Sequence, residues 1–278
     1  MLKDITVGQY YPIDSFVHRL DPRFKIIAVF VYIIAAFFVK TYIGLGVLFA
    51  FLCVCVAASK LPVRMLLRGL KAIYILLAFT FVFNALLSGG ETVYFSFWIF
   101  RLTKEGLVRA VFMALRLVLL ITGASVLTLT TSPITLTDGI EALLRPLAKI
   151  KFPAHEVAMM MTIALRFIPT LMEEADRITK AQSARGASFD EGGLLHRAKA
   201  VIPLLVPLFV SAFRRAEELA MAMEARCYHG GEGRTRLHVL KFTWRDGVGT
   251  AAFVALIALI ALDASVFVTL FPMLSGSF

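Results

Sequence analysis

Five stretches of this chain are too long and too apolar for a water-soluble core: residues 24–39, 43–58, 72–87, 107–129 and 248–271. Within them hydrophobic residues follow one another without the polar face that a surface helix keeps. A helix crossing the roughly 30 Å hydrocarbon layer needs about 20 such residues, and the first two runs are short and are expected to borrow flanking positions. Backbone at that depth has to satisfy its own hydrogen bonds, which selects the α-helix. The whole chain agrees: of 278 residues, 59% are hydrophobic and 24 are Phe, with a mean hydropathy of +0.81. The expected class is an all-α polytopic membrane protein with about five transmembrane helices.

A net charge of +10 raises the question of nucleic acid, and the placement of the charges answers it. Arg19, Arg23 and Lys25 lie at the start of the first apolar run, and Lys60, Arg64, Arg68 and Lys71 separate the second from the third. Clusters of this kind next to spans mark the cytoplasmic side. The connection over residues 88–105 carries Glu91, Glu105, Arg101 and Lys104, balances to zero and suits the outside. Its Tyr94, Phe95, Phe97, Trp98 and Phe100 resemble an interfacial aromatic belt. The expected topology has the N-terminus inside and the C-terminus outside, in the inner (cytoplasmic) membrane of a bacterium. Residues 1–20 hold no apolar core of a cleavable signal peptide. Cys53, Cys55 and Cys227 form no disulfide framework and are read as packing residues.

Between residues 131 and 246 the pattern changes. Charges become dense and hydrophobic positions recur with helical spacing, which divides the chain into transmembrane helices over 1–130, a cytoplasmic module over 131–246 and a last transmembrane helix over 247–278. Ser132-Pro133 followed by Leu136, Ile140, Leu143, Leu144 and Leu147 predicts an interfacial helix. After Pro153, a second helix is expected to about Arg185 and a third from about Leu194 to Arg226, each roughly 45 Å long. Pro169, Pro203 and Pro207 are expected to kink them.

The ends of these two helices repeat one another. Superimposing Arg185 on Arg226 aligns Ala175 with Ala216, Ile178 with Leu219, Ala181 with Ala222 and Ala184 with Ala225. A single arginine beside a glycine is accounted for by helix capping. Duplication of the whole approach is not something capping requires, and it suggests two prongs that push a guanidinium into a partner. The rows of small residues, with Glu173 and Glu174 on one helix and Arg214 and Arg215 on the other, predict that the two helices cross closely at Ala175, Ile178, Ala181, Ala216, Leu219 and Ala222. Inside the membrane, Arg116 and Asp263 lie at matching depths, roughly 21 to 24 Å from the cytoplasmic face at 1.5 Å per residue. They are expected to pair or to share a polar network, the alternative being separate contacts with headgroups and backbone carbonyls.

No catalytic signature accompanies these features. Gly230-Gly231-Glu232-Gly233 lacks the lysine and hydroxyl of a phosphate-binding loop, and no histidine has metal-site spacing. Consecutive Met159, Met160 and Met161 point in three directions and suit adaptable packing. An intramembrane protease or acyltransferase would need a catalytic dyad at membrane depth, and neither Gly-x-Ser-x-Gly, His-Glu-x-x-His nor paired aspartates occur there.

Residues 130–189, the segment 8–25 with Asp21-Pro22-Arg23, Phe83-Asn84, and residues 224–236 together resemble the transmembrane T component of energy-coupling factor transporters. Dedicated cobalt and nickel permeases share the architecture. The resemblance implies a non-catalytic subunit of an ABC importer for vitamins or micronutrients, with no cofactor of its own. It implies two cytoplasmic ABC-type ATPases that bind ATP and magnesium, and a small membrane S component that binds the substrate. It also implies that Ala184-Arg185-Gly186 and Ala225-Arg226-Cys227 dock the ATPases, with Cys227 departing from the common glycine.

Overall fold

The computed structural model describes residues 10–87, 93–97, 100–150, 152–187, 193–230 and 240–270. Helix α1 (Pro22–Phe38) begins with Asp21 as its cap, Oδ1 accepting the Arg23 N–H at 2.9 Å, while Pro22 takes a first position where its missing N–H is harmless. After a short turn, Thr41 caps α2 (Tyr42–Ser59) by accepting from the Gly44 N–H at 3.1 Å. Helix α2 stops at Lys60, whose φ of 53° is left-handed.

The third apolar run forms only part of its expected span. A first helix, α3 (Val63–Ala72), precedes α4 (Tyr74–Leu87), and the two meet at a 63° bend. The charged stretch in front of the run is thus itself helical, with Arg64 and Arg68 exposed and Leu66 buried on the opposite face. Strands β1 (Val93–Phe97) and β2 (Phe100–Thr103) pair antiparallel, with Ser96 opposite Arg101; Trp98 lies outside the described residues. Then follow α5 (Lys104–Thr130), α6 (Pro133–Leu144), a 3-10 segment (Arg145–Ile150), α7 (Ala154–Ala184), α8 (Leu194–Glu224) and α9 (Trp244–Leu270).

Among the described residues, α2, α5 and the Trp244–Asp263 part of α9 are long and apolar enough to cross a membrane, and the bent α3–α4 pair makes a fourth if counted as one span. At 17 residues α1 reaches about 25 Å, short of the roughly 30 Å hydrocarbon core. The described residues thus give three or four candidate spans, in an all-α membrane protein with further amphipathic helices.

The chain divides into two compact units. One holds the described residues of Gln9–Gly139 and Leu240–Phe278, the other those of Ile140–Val239, with the boundary inside α6. In the first, α5 is the hub on which α1, α2, α3 and α4 pack, and α9 lies against α2 and α1. Tyr32, Leu48, Leu119 and Leu256 form its core. The Tyr32 hydroxyl donates to the Leu119 carbonyl at 3.3 Å, and its ring lies so close to α5 that a Cβ on Gly123 would stand 2.5 Å from Cε1. In the second unit α7 packs on α8. Each has 31 residues, about 46 Å, and each continues as one helix through its prolines.

Candidate functional site

The two arginine prongs end in the same cap. At the end of α7, the Ala187 N–H donates to Gln182 O and the Gly186 N–H to Ser183 O, both at 3.0 Å. At the end of α8, the Tyr228 N–H donates to Met223 O at 3.1 Å and the Cys227 N–H to Glu224 O at 2.9 Å. These are the two bonds of a Schellman motif, and in both cases arginine occupies the last helical-edge position before a left-handed residue. That residue is Gly186 at φ 89° in one and Cys227 at φ 55° in the other. A side chain in this region costs about 1 to 2 kcal/mol, yet Cys227 reproduces the glycine geometry. Arg185 and Arg226 are exposed and form no ion pair with another described residue. Each guanidinium therefore stands at the negative end of a long dipole with its planar donor fork open to a partner.

The crossing residues are only partly on the packed faces. Half-buried positions on α8 run Leu204, Leu208, Ala212, Arg215, Leu219 and Met223, and on α7 they include Glu174, Ala175 and Ile178. Arg215 reaches Glu174 at 3.8 Å across them. Ala181, Ala216 and Ala222 are exposed, as is Ala184, so the small-residue row of α8 lies beside the packed stripe rather than on it. The reason is one step of helical phase: Arg215 takes the inward position that the alignment gave to Ala216. In the same unit His155 Nδ1 meets Glu141 Oε1 at 3.1 Å.

Sequence reasoning missed a buried polar knot where α1 and α9 begin and α5 ends. Asp246, 1% exposed, accepts the Thr243 N–H at its own helix start and the Asp21 N–H at the start of α1, both at 2.7 Å. The first of these is half of a capping box, and the Thr243-to-Asp246 spacing was the available signal. Buried Lys25 donates to His18 O (3.2 Å), Thr130 O (3.1 Å) and Thr131 Oγ1 (3.3 Å), with the charges of Asp246 and Asp21 acting on it. Tyr11 N–H donates to Leu129 O at 3.0 Å, tying the segment before α1 to the end of α5. His18 closes this strap. Tyr11 O can only accept, so His18 Nε2 carries the proton at 3.0 Å, and Nδ1 accepts from the Ser15 hydroxyl at 2.6 Å. Burial holds the His18 imidazole below its usual range, opposed by the Tyr11 carbonyl and reinforced by the charge of Lys25. The knot holds α5 at the point where the chain departs toward α7 and α8.

Arg116 and Asp263 do not form an ion pair with each other among the described residues. Both end instead on the turn between α1 and α2. Arg116 donates to the Val39 carbonyl and lies 4.8 Å over the Phe112 ring, while Asp263 accepts from the Thr41 hydroxyl. The turn offers an acceptor to the cation and a donor to the anion two residues apart. Among the described residues no His, Cys, Asp or Glu group is arranged to hold a metal ion.

Apolar spanning helices together with a pair of long, arginine-capped amphipathic helices define a membrane protein that carries a further helical module. The family model described as cobalt transport protein (CbiQ) matches residues 14–237. The chain is 54% identical over 260 residues to the energy-coupling factor transporter transmembrane protein EcfT of Clostridium kluyveri, covering 93% of this chain and 96% of that one. It is 53% identical over 262 residues to the protein of the same name from Acidaminococcus fermentans, covering 94% and 97%. The Bacillus subtilis protein of that name is 49% identical over 265 residues, covering 94% and 98%. The chain belongs to this family of transporter transmembrane proteins.

Proposed function

We propose that this chain is the scaffold subunit of an energy-coupling factor importer, passing motion from two cytoplasmic ATPases to a small membrane S component that carries a vitamin or other micronutrient. The observation that carries the reading is the pair of identical caps, each presenting an exposed arginine at the tip of a 31-residue helix. Two equivalent prongs suit two equivalent sockets. Ala184-Arg185-Gly186 enters one ATPase and Ala225-Arg226-Cys227 the other, while ATP and magnesium are held by those partners. The chain sits in the bacterial inner membrane with its N-terminus and both prongs in the cytoplasm. The packed α7–α8 pair carries force from the sockets, and the exposed apolar residues of α8, such as Phe209 and Phe213, give the S component a surface.

Alanine at Arg185 and Arg226, singly and together, tests this. A charge-assisted contact cut from one side costs about 2 to 5 kcal/mol, so the double variant is expected to purify without ATPases and to lose uptake, with lysine a poor substitute. Wild-type ATPase recovery and uptake by the double variant would refute the docking. The family model's description keeps a dedicated cobalt permease as the second reading, and the ligand held by the copurified small membrane protein separates the two.

A further inference from the structure

A cavity of about 280 Å³ lies among α1, α2, α5 and α9. Phe24, Ala28, Phe51, Ala58, Ala252 and Phe253 contribute to walls that are almost wholly hydrocarbon. Its polar neighbours are already engaged: Lys25 in the knot, the Thr130 hydroxyl on Val126 O, and the Tyr32 hydroxyl on Leu119 O. Water inside would therefore find no partners, and a polar ligand none either. The space exceeds the apolar cavities of about 150 Å³ that bind benzene, and because protein encloses only about half of it, a molecule of the surrounding hydrocarbon can enter.

The depth points to one kind of occupant. The wall residues stay within 16–32, 51–58, 123–130 and 248–253, the halves of their helices nearest the knot. On α1, the stretch from Pro22 to Tyr32 spans about 15 Å, the depth of one leaflet's hydrocarbon. The same end is cationic. Arg23 adjoins Phe24, and its buried Nε has no hydrogen-bond partner; Lys60, two residues beyond Ala58, is exposed. We propose that one acyl chain of an anionic phospholipid from the leaflet at this end fills the cavity, its phosphate accepting from the Arg23 guanidinium.

Native mass spectrometry of the full purified chain, offered equal amounts of phosphatidylglycerol and phosphatidylcholine, tests the site. The wild type is expected to retain one phosphatidylglycerol. Ala252→Phe and Ala58→Phe, which fill the space from two helices, should lower retention at least five-fold. Arg23→Gln should keep a bound lipid but bring the two headgroups to near parity. Lipid-exposed Phe37→Ala should behave as wild type. Should the phenylalanine variants fold poorly, Ala28→Val supplies the same reading with a smaller change. Unchanged retention in the filled variants, no lipid on the wild type, displacement by inorganic phosphate alone, or loss of the lipid when partner subunits bind would each overturn the proposal.

Discussion

Removing the Asp246 carboxylate should unfasten the membrane unit at one point. Its two oxygens each accept a backbone N–H at 2.7 Å, one from α9's own start and one from α1's, at a site 1% exposed. Each hydrogen bond to a charged group contributes about 1.5 to 3 kcal/mol, and Lys25 keeps the charge of Asp21 when that of Asp246 is removed. The two N–H groups contact this carboxylate directly, and Lys25 feels it only through its charge. From its two charge-assisted hydrogen bonds, Asp246→Ala is therefore expected to lose about 3 to 5 kcal/mol, or about 6 to 20 °C in melting temperature. Asp246→Asn keeps one acceptor and turns an amide donor toward the other N–H, so about half the loss should remain. The assay is thermal unfolding of the detergent-solubilised chain followed by size-exclusion chromatography. Asp14→Ala is the control, since its 3.2 Å contact with Arg19 is on the surface and should contribute under about 1 kcal/mol. A melting temperature for Asp246→Ala within about 2 °C of wild type would show that the knot does not hold these helix ends together.

Cys227→Gly should stabilise the end of α8 by up to about 1 kcal/mol, because glycine adopts the left-handed cap without strain; hydrogen exchange at Cys227 and Tyr228 amides reads it, and faster exchange would contradict the cap. Gly123→Ala drives a methyl into the Tyr32 ring and should cost about 1 to 3 kcal/mol by thermal melting, an unchanged melt refuting that contact. His18 is held neutral in the fold, so its contribution is full above its ordinary value of 6.5 and erodes as pH falls toward the lower folded value. Wild-type melting temperature should thus drop below pH 6.5 more steeply than that of His18→Gln, and parallel profiles would exclude the strap as the source.

The long helices were legible because their punctuation is local. Pro153 before Ala154, Gly186 after Arg185 and the duplicated approach to Arg226 bracket α7 and α8 to within a residue or two. The α3–α4 bend was not read, although Arg64, Arg68 and Lys71 alternate with Leu66 and Leu70 at helical spacing; a search for uninterrupted apolar runs passes over a short amphipathic helix. The particular partners of Arg116 and Asp263 were not named in advance for a different reason. The sequence left open a pair, a polar network or backbone carbonyls, because it does not show which turn lies at their depth; here Val39 O and Thr41 Oγ1 take the places of opposite charges. Of the predicted crossing residues, Ala175, Ile178 and Leu219 are half-buried, while Ala216 and Ala222 lie beside the packed stripe because Arg215 can pack its stem inward while reaching Glu174.

A helix that ends in a hydrogen-bonded cap is a rigid lever up to its final residue. Over the 46 Å or so of α7, a tilt of about 10° would carry its tip sideways by about 8 Å, more than a full helical turn of 5.4 Å. The gearing also runs the other way. A displacement of Arg185 by several ångströms needs only a few degrees of rotation at the other end of α7, a change that packed side chains can follow without repacking.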